Sequence, residues 1–336
     1  MTTFSVQAPR LAGLVAAIPA HMETEADLAL RFGEDAVRRI VQATGIKRRP
    51  VAPPDMTMAD LAEAGARRLL GRLGWEPSSV GLLIVVTQTG DHPLPANACL
   101  LQHRLGLSTG AAAFDVNLGC SGYVYGLSIA ASMLGAGVAE RALLVAGDTT
   151  THMISPDDRS VAPLFGDAVV VTALEHGSDG TRMVFDLGTD GAGAPYLTSA
   201  TGGARTPGPP KLAMDGTQVM AFSLRTVHRT VASTLNAIGW PVSGVDAFVL
   251  HQANAMMLRT LGQKIGATPE QMVQAIEDCG NTSSASIPLA MVHKLQAAEC
   301  TAFGKLVLCG FGVGWSWATC AWNVDCEPIA DVVTVP

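Results

Sequence analysis

Charge is scarce in this chain. Only 15% of its 336 residues are Asp, Glu, Lys or Arg, against 48% that are apolar. A chain so thinly charged is expected to bury much of its surface, in a shared core and in a subunit interface. The seven cysteines include no C-x-x-C, and no Cys/His cluster has zinc-ligand spacing, so nothing in the pattern calls for a metal. An odd, unpaired set of cysteines fits free thiols in a reducing compartment, and a cytoplasmic location is expected. No apolar run reaches the ~20 residues that span a bilayer. The run from Leu11 to Ala20 follows Arg10 as a signal-peptide core would, but Pro19, its shortness and the continuous pattern downstream favour a first β-strand. Net positive charge is lacking too. At −7 overall, the chain gives no support to general nucleic-acid binding, and an acidic partner would need a local basic patch.

What the chain does have is an internal repeat. Leu73-Gly74-Trp75, Ser79-Val80 and the apolar run Leu82 to Val86 recur as Ile238-Gly239-Trp240, Gly244-Val245 and Phe248 to Leu250, an offset of 165 residues from Trp75 to Trp240. At the same offset, Ala142 to Gly147 recurs as Leu306 to Gly312. Helical periodicity precedes each copy, over Met58 to Leu73 and Phe222 to Ile238. Copies this long predict two similar α/β halves about a pseudo-twofold axis, residues 1–175 and 176–336. Within them, a strand Ala113 to Val116 leads to Cys120 and a helix from Tyr123 to Leu134. Likewise, a strand Val273 to Ile276 leads to Asn281 and a helix through Ile287, Leu289, Met291 and Leu295. Cys120 and Asn281 thus fall at equivalent helix starts, and the strand ending at Leu250 delivers His251 at the same level. Strand carboxyl ends are where open α/β sheets bind ligands.

Three segments carry the chemistry: Asn117 to Gly122, His251 to Asn254 and Gly280 to Ser286. Taken singly, each has a plain structural reading, as a buried thiol, a core histidine and a helix cap. Together they suit one site. A helix start should favour the Cys120 thiolate and make the thiol acidic, and the surrounding backbone N–H groups suit an oxyanion. His251 and Asn281 could both donate to one oxygen, or Asn281 could orient His251 as in a hydrolase. The run Gly310 to Trp317 reads as a glycine-rich loop, structural or oxyanion-binding, and without a Lys it does not suit a phosphate-binding loop.

These ordered motifs, together with Thr44 to Arg49, Asp157-Asp158-Arg159 and Phe165-Gly166-Asp167, resemble the β-ketoacyl-[acyl carrier protein] synthase III family of the thiolase superfamily. The resemblance runs from about Leu11 to Trp322. It implies a five-layered αβαβα fold built from two duplicated halves, and a homodimer without a cofactor. It also implies that Cys120 takes an acyl group from acyl-coenzyme A. His251 and Asn281 would then hold malonyl-acyl carrier protein while it loses CO₂, and the N–H groups of Cys120 and Val313 would bind the oxyanion of the condensation step. By the same resemblance, Arg39 and Arg159 face the adenine of coenzyme A, Asn254 and Ser283 line the substrate site, and Leu94 reaches the partner's acyl pocket. Leu there, in place of a large aromatic, implies primers longer than acetyl. Where the family often has an Arg after His-Gln-Ala-Asn the run here is Ala255-Met256-Met257, and another usually basic position aligns near Ala221. Docking of an acidic carrier protein would then fall to Arg259, Lys264 and the Lys47 to Arg49 cluster. An acyltransferase that passes the acyl group to a hydroxyl or amine without condensation is the alternative. The Gly- and Pro-rich stretch Thr198 to Pro210 reads as a loop over the mouth of the site.

Overall fold

A computed structural model describes residues 2–177, 180–297 and 302–336. In chain order the first half contains β1 (Thr2–Gln7), β2 (Arg10–Pro19), β3 (Met22–Thr24), α1 (Glu25–Phe32), α2 (Glu34–Thr44), β4 (Arg48–Pro50), α3 (Met58–Leu73), β5 (Leu82–Val86), α4 (Asn97–Leu105), β6 (Ala112–Val116), α5 (Gly122–Gly135), β7 (Arg141–Asp148) and β8 (Ala168–Glu175). There follow β9 (Arg182–Thr189), β10 (Leu197–Ser199), β11 (Leu212–Met214), α6 (Gly216–Ile238), β12 (Ala247–Leu250), α7 (Ala255–Ile265), α8 (Ser286–Gln296), β13 (Gly304–Gly312), β14 (Ser316–Val324) and β15 (Ile329–Val335).

The duplication is visible in the sheets. One has the order β15-β2-β8-β7-β5-β6 and the other β1-β9-β14-β13-β12. In each, a parallel pair (β5 with β7, β12 with β13) adjoins antiparallel neighbours (β7 with β8, β13 with β14). The terminal strands are exchanged: β15 completes the first sheet and β1 the second. Helices α5 and α8 lie between the sheets, α3 and α4 cover the outside of the first, and α6 with α7 covers the second. This is the five-layered αβαβα arrangement of the thiolase fold.

Local chemistry explains the layers. Helix α3 opens with a reciprocal capping box between Thr57 and Asp60 and closes on Gly74 in the left-handed region. It buries one face, including Leu61, Ala62, Leu69 and Leu70, and leaves Arg67, Arg68 and Arg72 outside. Helix α5 is apolar or small on every side and buries nine of its residues, as a helix between two sheets must. Strand β5 is buried along its whole length, the mark of a sheet covered on both faces.

Three elements differ from the sequence reading. Helix α6 starts at Gly216, capped by Asp215, six residues before the expected Phe222. The expected strand Val273 to Ile276 is irregular: only Met272 bridges Phe248, and Ala275 N–H donates to the Gln252 side chain (3.0 Å). The glycine-rich run is mostly strand, for β13 and β14 enclose a turn of Val313, Gly314 and Trp315. Thr198 to Pro210 falls in the β10–β11 hairpin, whose connection is largely exposed.

Candidate active site

Cys120 stands between β6 and α5, beneath the β13–β14 turn. It is 8% exposed. A Cβ placed on Gly312 would lie 2.9 Å from Cys120 Cβ and 3.1 Å from its Sγ, so only glycine admits this approach. The contact is pinned from both sides. Ser121 Oγ and Ser316 Oγ are 2.6 Å apart, and Ser316 donates to Val313 O at 2.8 Å. A Cβ on Gly119 would sit 3.1 Å from Val313 Cγ1. Val313 is therefore held over the nucleophile loop, and no backbone carbonyl of the described residues accepts the N–H of either Cys120 or Val313.

The thiol is not acidic as expected. Burial, followed by the nearby Asp148 carboxylate, pushes it up to about 12. Helix α5 begins two residues after Cys120, and Ser121 at its N-cap makes no side-chain cap. The field of the helix start therefore acts on a thiol whose desolvation dominates.

His251 follows β12 directly and is 3% exposed. Its N–H donates to Cys309 O on β13 (2.8 Å), and its ring meets Phe311 edge-on at 5.5 Å. Because Phe311 adjoins Gly312, β13 brings the imidazole to the level of Cys120. Ser286 Oγ lies 2.7 Å from His251 Nδ1 and accepts the Gln252 N–H at 3.4 Å. Ser286 therefore engages Nδ1, and the remaining ring nitrogen, Nε2, is the one left for a substrate. Burial lowers the imidazole to about 3, and the ring is a neutral donor at physiological pH.

Asn281 is 7% exposed. Its backbone is fixed to the 164–166 segment, with N–H to Leu164 O at 2.8 Å and O accepting Gly166 N–H at 3.0 Å. Its Oδ1 accepts Ser283 N–H at 2.9 Å, so the amide NH₂ remains as the donor. Ser283 adopts φ +51°, the one left-handed non-glycine residue among those described. It faces both Cys120 and Asp148, where its side chain opposes the upward shifts that burial imposes on them.

The other residues singled out from the sequence lie further away or are otherwise engaged. Asn254 caps α7, its Oδ1 accepting Met257 N–H at 2.8 Å. Arg39 and Arg159 come together at one open cavity of about 420 Å³, beside Phe32 and the first residues of α2. Leu94 is 80% exposed on the loop before α4. Arg259 and Lys264 are exposed on α7, and Lys264 also donates to Leu224 O at 3.2 Å.

The Lys47 to Arg49 cluster is not a free basic patch. Lys47 pairs with Glu277 and Arg48 with Asp278, both at 2.7 Å. Arg49 is buried, bonded to Glu23 and to Phe165 O. These acids lie far off in the sequence, so nothing local announced the pairing. Ser286, Asp148 and Gln88 were likewise not singled out. Ser286 lay inside a noted segment but reads as one serine among three, and Asp148 ends a strand as many polar residues do.

Comparison with known proteins shows the family. Residues 114–201 match the 3-oxoacyl-[acyl-carrier-protein] synthase III model, and residues 235–324 match the model of that enzyme's C-terminal part. The chain belongs to the 3-oxoacyl-[acyl-carrier-protein] synthase III family. It is 36% identical to a Streptomyces coelicolor beta-ketoacyl-[acyl-carrier-protein] synthase III over 86% of each chain. The crystal structure of a 3-oxoacyl-(acyl-carrier protein) synthase from Burkholderia xenovorans superposes with a TM-score of 0.93 at 37% identity, covering 98% of this chain and 99% of that one. The priming β-ketosynthase of the R1128 polyketide pathway gives a TM-score of 0.87 at 29% identity, covering 96% and 98%. The family's members are condensing enzymes of initiation. No helix of the described residues is long and apolar enough to cross a membrane.

Proposed function

We propose that this synthase III initiates a chain by a ping-pong condensation at Cys120. The Cys120 sulfur attacks the carbonyl of an acyl-coenzyme A. The thioester C–S bond breaks, and coenzyme A leaves with the thiol proton. Malonyl-acyl carrier protein then loses CO₂. The electrons of the broken C–C bond pass into an enolate, whose oxygen receives hydrogen bonds from His251 Nε2–H and the Asn281 NH₂. The enolate carbon attacks the acyl-Cys120 carbonyl, whose oxyanion is bound by the N–H groups of Cys120 and Val313, and the Cys120 thiolate departs and takes up a proton. The observation that carries this reading is the buried, neutral His251, whose Nδ1 meets Ser286 Oγ; with that hydroxyl donating to Nδ1, Nε2–H is the donor to the enolate. An imidazole so held is an electrostatic donor rather than a base.

The cavity at Arg39 and Arg159 suits the nucleotide end of coenzyme A, since guanidinium groups stack on purines and pair with phosphate. For the carrier protein we propose the face of α6 and α7. Neither helix contains an acidic residue, and Arg225, Arg229, Arg259 and Lys264 are all exposed on them. Leu94, 80% exposed on a single chain, fits a homodimer in which it enters the partner's acyl site. Transfer to a hydroxyl or amine is the second reading, favoured by the exposed Met256 at a family docking position.

Intact-mass measurement after exposure to a panel of acyl-coenzyme A thioesters tests the proposal. The wild type should gain the mass of the acyl group, and Cys120→Ala should not. No adduct with any member of the panel, or an equal adduct on the variant, would overturn it.

A further inference from the structure

Asp148 ends β7 inside the site and is 1% exposed. Among the described residues, every hydrogen-bond partner of its carboxylate is a neutral donor. Oδ1 accepts Gln88 N–H (2.7 Å), Thr87 Oγ1 (3.1 Å) and Thr89 Oγ1 (3.3 Å), all from the first half. Oδ2 accepts Ser284 Oγ (2.9 Å) and Ser284 N–H (3.4 Å), from the second half. A buried carboxylate held only by dipoles is costly to keep, and burial raises its pKa.

The groups it joins are the two sides of the site. Gln88 underlies the nucleophile turn: its Nε2 donates to Asn117 Oδ1 at 3.3 Å, and a Cβ on Gly119 would fall 2.5 Å from its Oε1. Ser284 lies between Asn281 and Ser286, the residue that sets His251. We propose that Asp148 is a positioning residue that holds the Asn281 to Ser286 turn against the Cys120 loop, so that decarboxylation depends on it more than acylation does. The inference rests on the roles proposed above for Cys120, His251 and Asn281.

The asymmetry follows from redundancy. The Cys120 loop is also held by the Ser121–Ser316 contact. On the far side, Ser284 ties the turn to β7 through both its hydroxyl and its N–H, with the Ser283 side chain beside it. In Asp148→Asn a single acceptor oxygen remains, and the three donors at Oδ1 retain it. The new NH₂ then faces Ser284 N–H.

The test compares wild type, Asp148→Asn and Ser284→Ala in two assays: acyl transfer from an acyl-coenzyme A to Cys120, and CO₂ release from malonyl-coenzyme A. Both variants should lose roughly tenfold to a hundredfold in CO₂ release, the scale of a misplaced catalytic group, with acylation little changed in Ser284→Ala and no slower in Asp148→Asn, which removes a charge that raises the Cys120 thiol. Because Ser284→Ala removes one exchangeable hydroxyl, it decides the matter should Asp148→Asn fail to fold. Equal losses in both assays would make the role structural and overturn the inference, as would undiminished CO₂ release. A wild type that releases no CO₂ at all would overturn the functional reading, and the inference with it.

Discussion

Ser286 Oγ stands 2.7 Å from His251 Nδ1, across 35 residues of sequence and from a different element. In the proposed mechanism the hydroxyl donates to Nδ1, which leaves the ring proton on Nε2 for the substrate. Ser286→Ala should leave Cys120 acylation nearly unchanged. It should slow malonyl decarboxylation by up to about a hundredfold, within the range found when a positioned oxyanion donor is lost. Single-turnover assays of the two half-reactions check this, and an equal effect on both would remove Ser286 from the role.

His251 is neutral in the folded chain, lowered to about 3 by burial, against an ordinary value near 6.5. Between those pH values the unfolded chain binds a proton that the folded chain refuses. Folding stability should therefore fall as pH drops below 6.5, by about 1.4 kcal/mol per pH unit from this group. Denaturant titrations across that window should show the slope in wild type and a smaller one in His251→Asn.

Cys120 titrates in the opposite sense. Its thiol, pushed up to about 12, stays protonated while an unfolded thiol ionises near 9. Alkylation of the resting enzyme by iodoacetamide should be slow at neutral pH and should still be rising above pH 9. A plateau reached by pH 8 would contradict the burial described here.

Gly312 admits the nucleophile. An added Cβ would stand 2.9 Å from Cys120 Cβ, closer than such atoms pack. Gly312→Ala should displace either the thiol or the Val313 turn and lower acylation by roughly a hundredfold, as expected for an ångström-scale misplacement. The rate of adduct formation by mass spectrometry reads this directly.

Leu94 offers a test of the dimer. If the partner's acyl site receives it, Leu94→Phe should shift the preferred primer toward acetyl. It should leave the rate with the shortest thioester within a few-fold, because one side-chain enlargement in an apolar pocket discriminates by roughly 10–200-fold. An unchanged chain-length profile would separate Leu94 from the acyl site.

Much of this was legible in the sequence. Repeats at an offset of 165 residues revealed the duplication because each copy rebuilds the same strand and helix, and hydrophobic periodicity is local. The bounds of α3, Met58 to Leu73, were read correctly from that periodicity. The strand-to-helix turn at Cys120 and the helix after Asn281 were visible for the same reason, and so was the position of His251 at the end of β12, whereas the expected strand before Asn281 is irregular. What the sequence could not settle depends on groups distant in the chain. Whether Lys47 and Arg48 are free depends on Glu277 and Asp278, 230 residues away. Whether the Cys120 thiol is acidic depends on how completely the fold desolvates it and on the charge of Asp148, not on the helix start beside it. Whether His251 donates through Nε2 depends on Ser286. Periodicity and turn chemistry are encoded over a few residues, whereas burial and hydrogen-bond partnership arise only when the two halves close on each other, and these set the charge and protonation of the site.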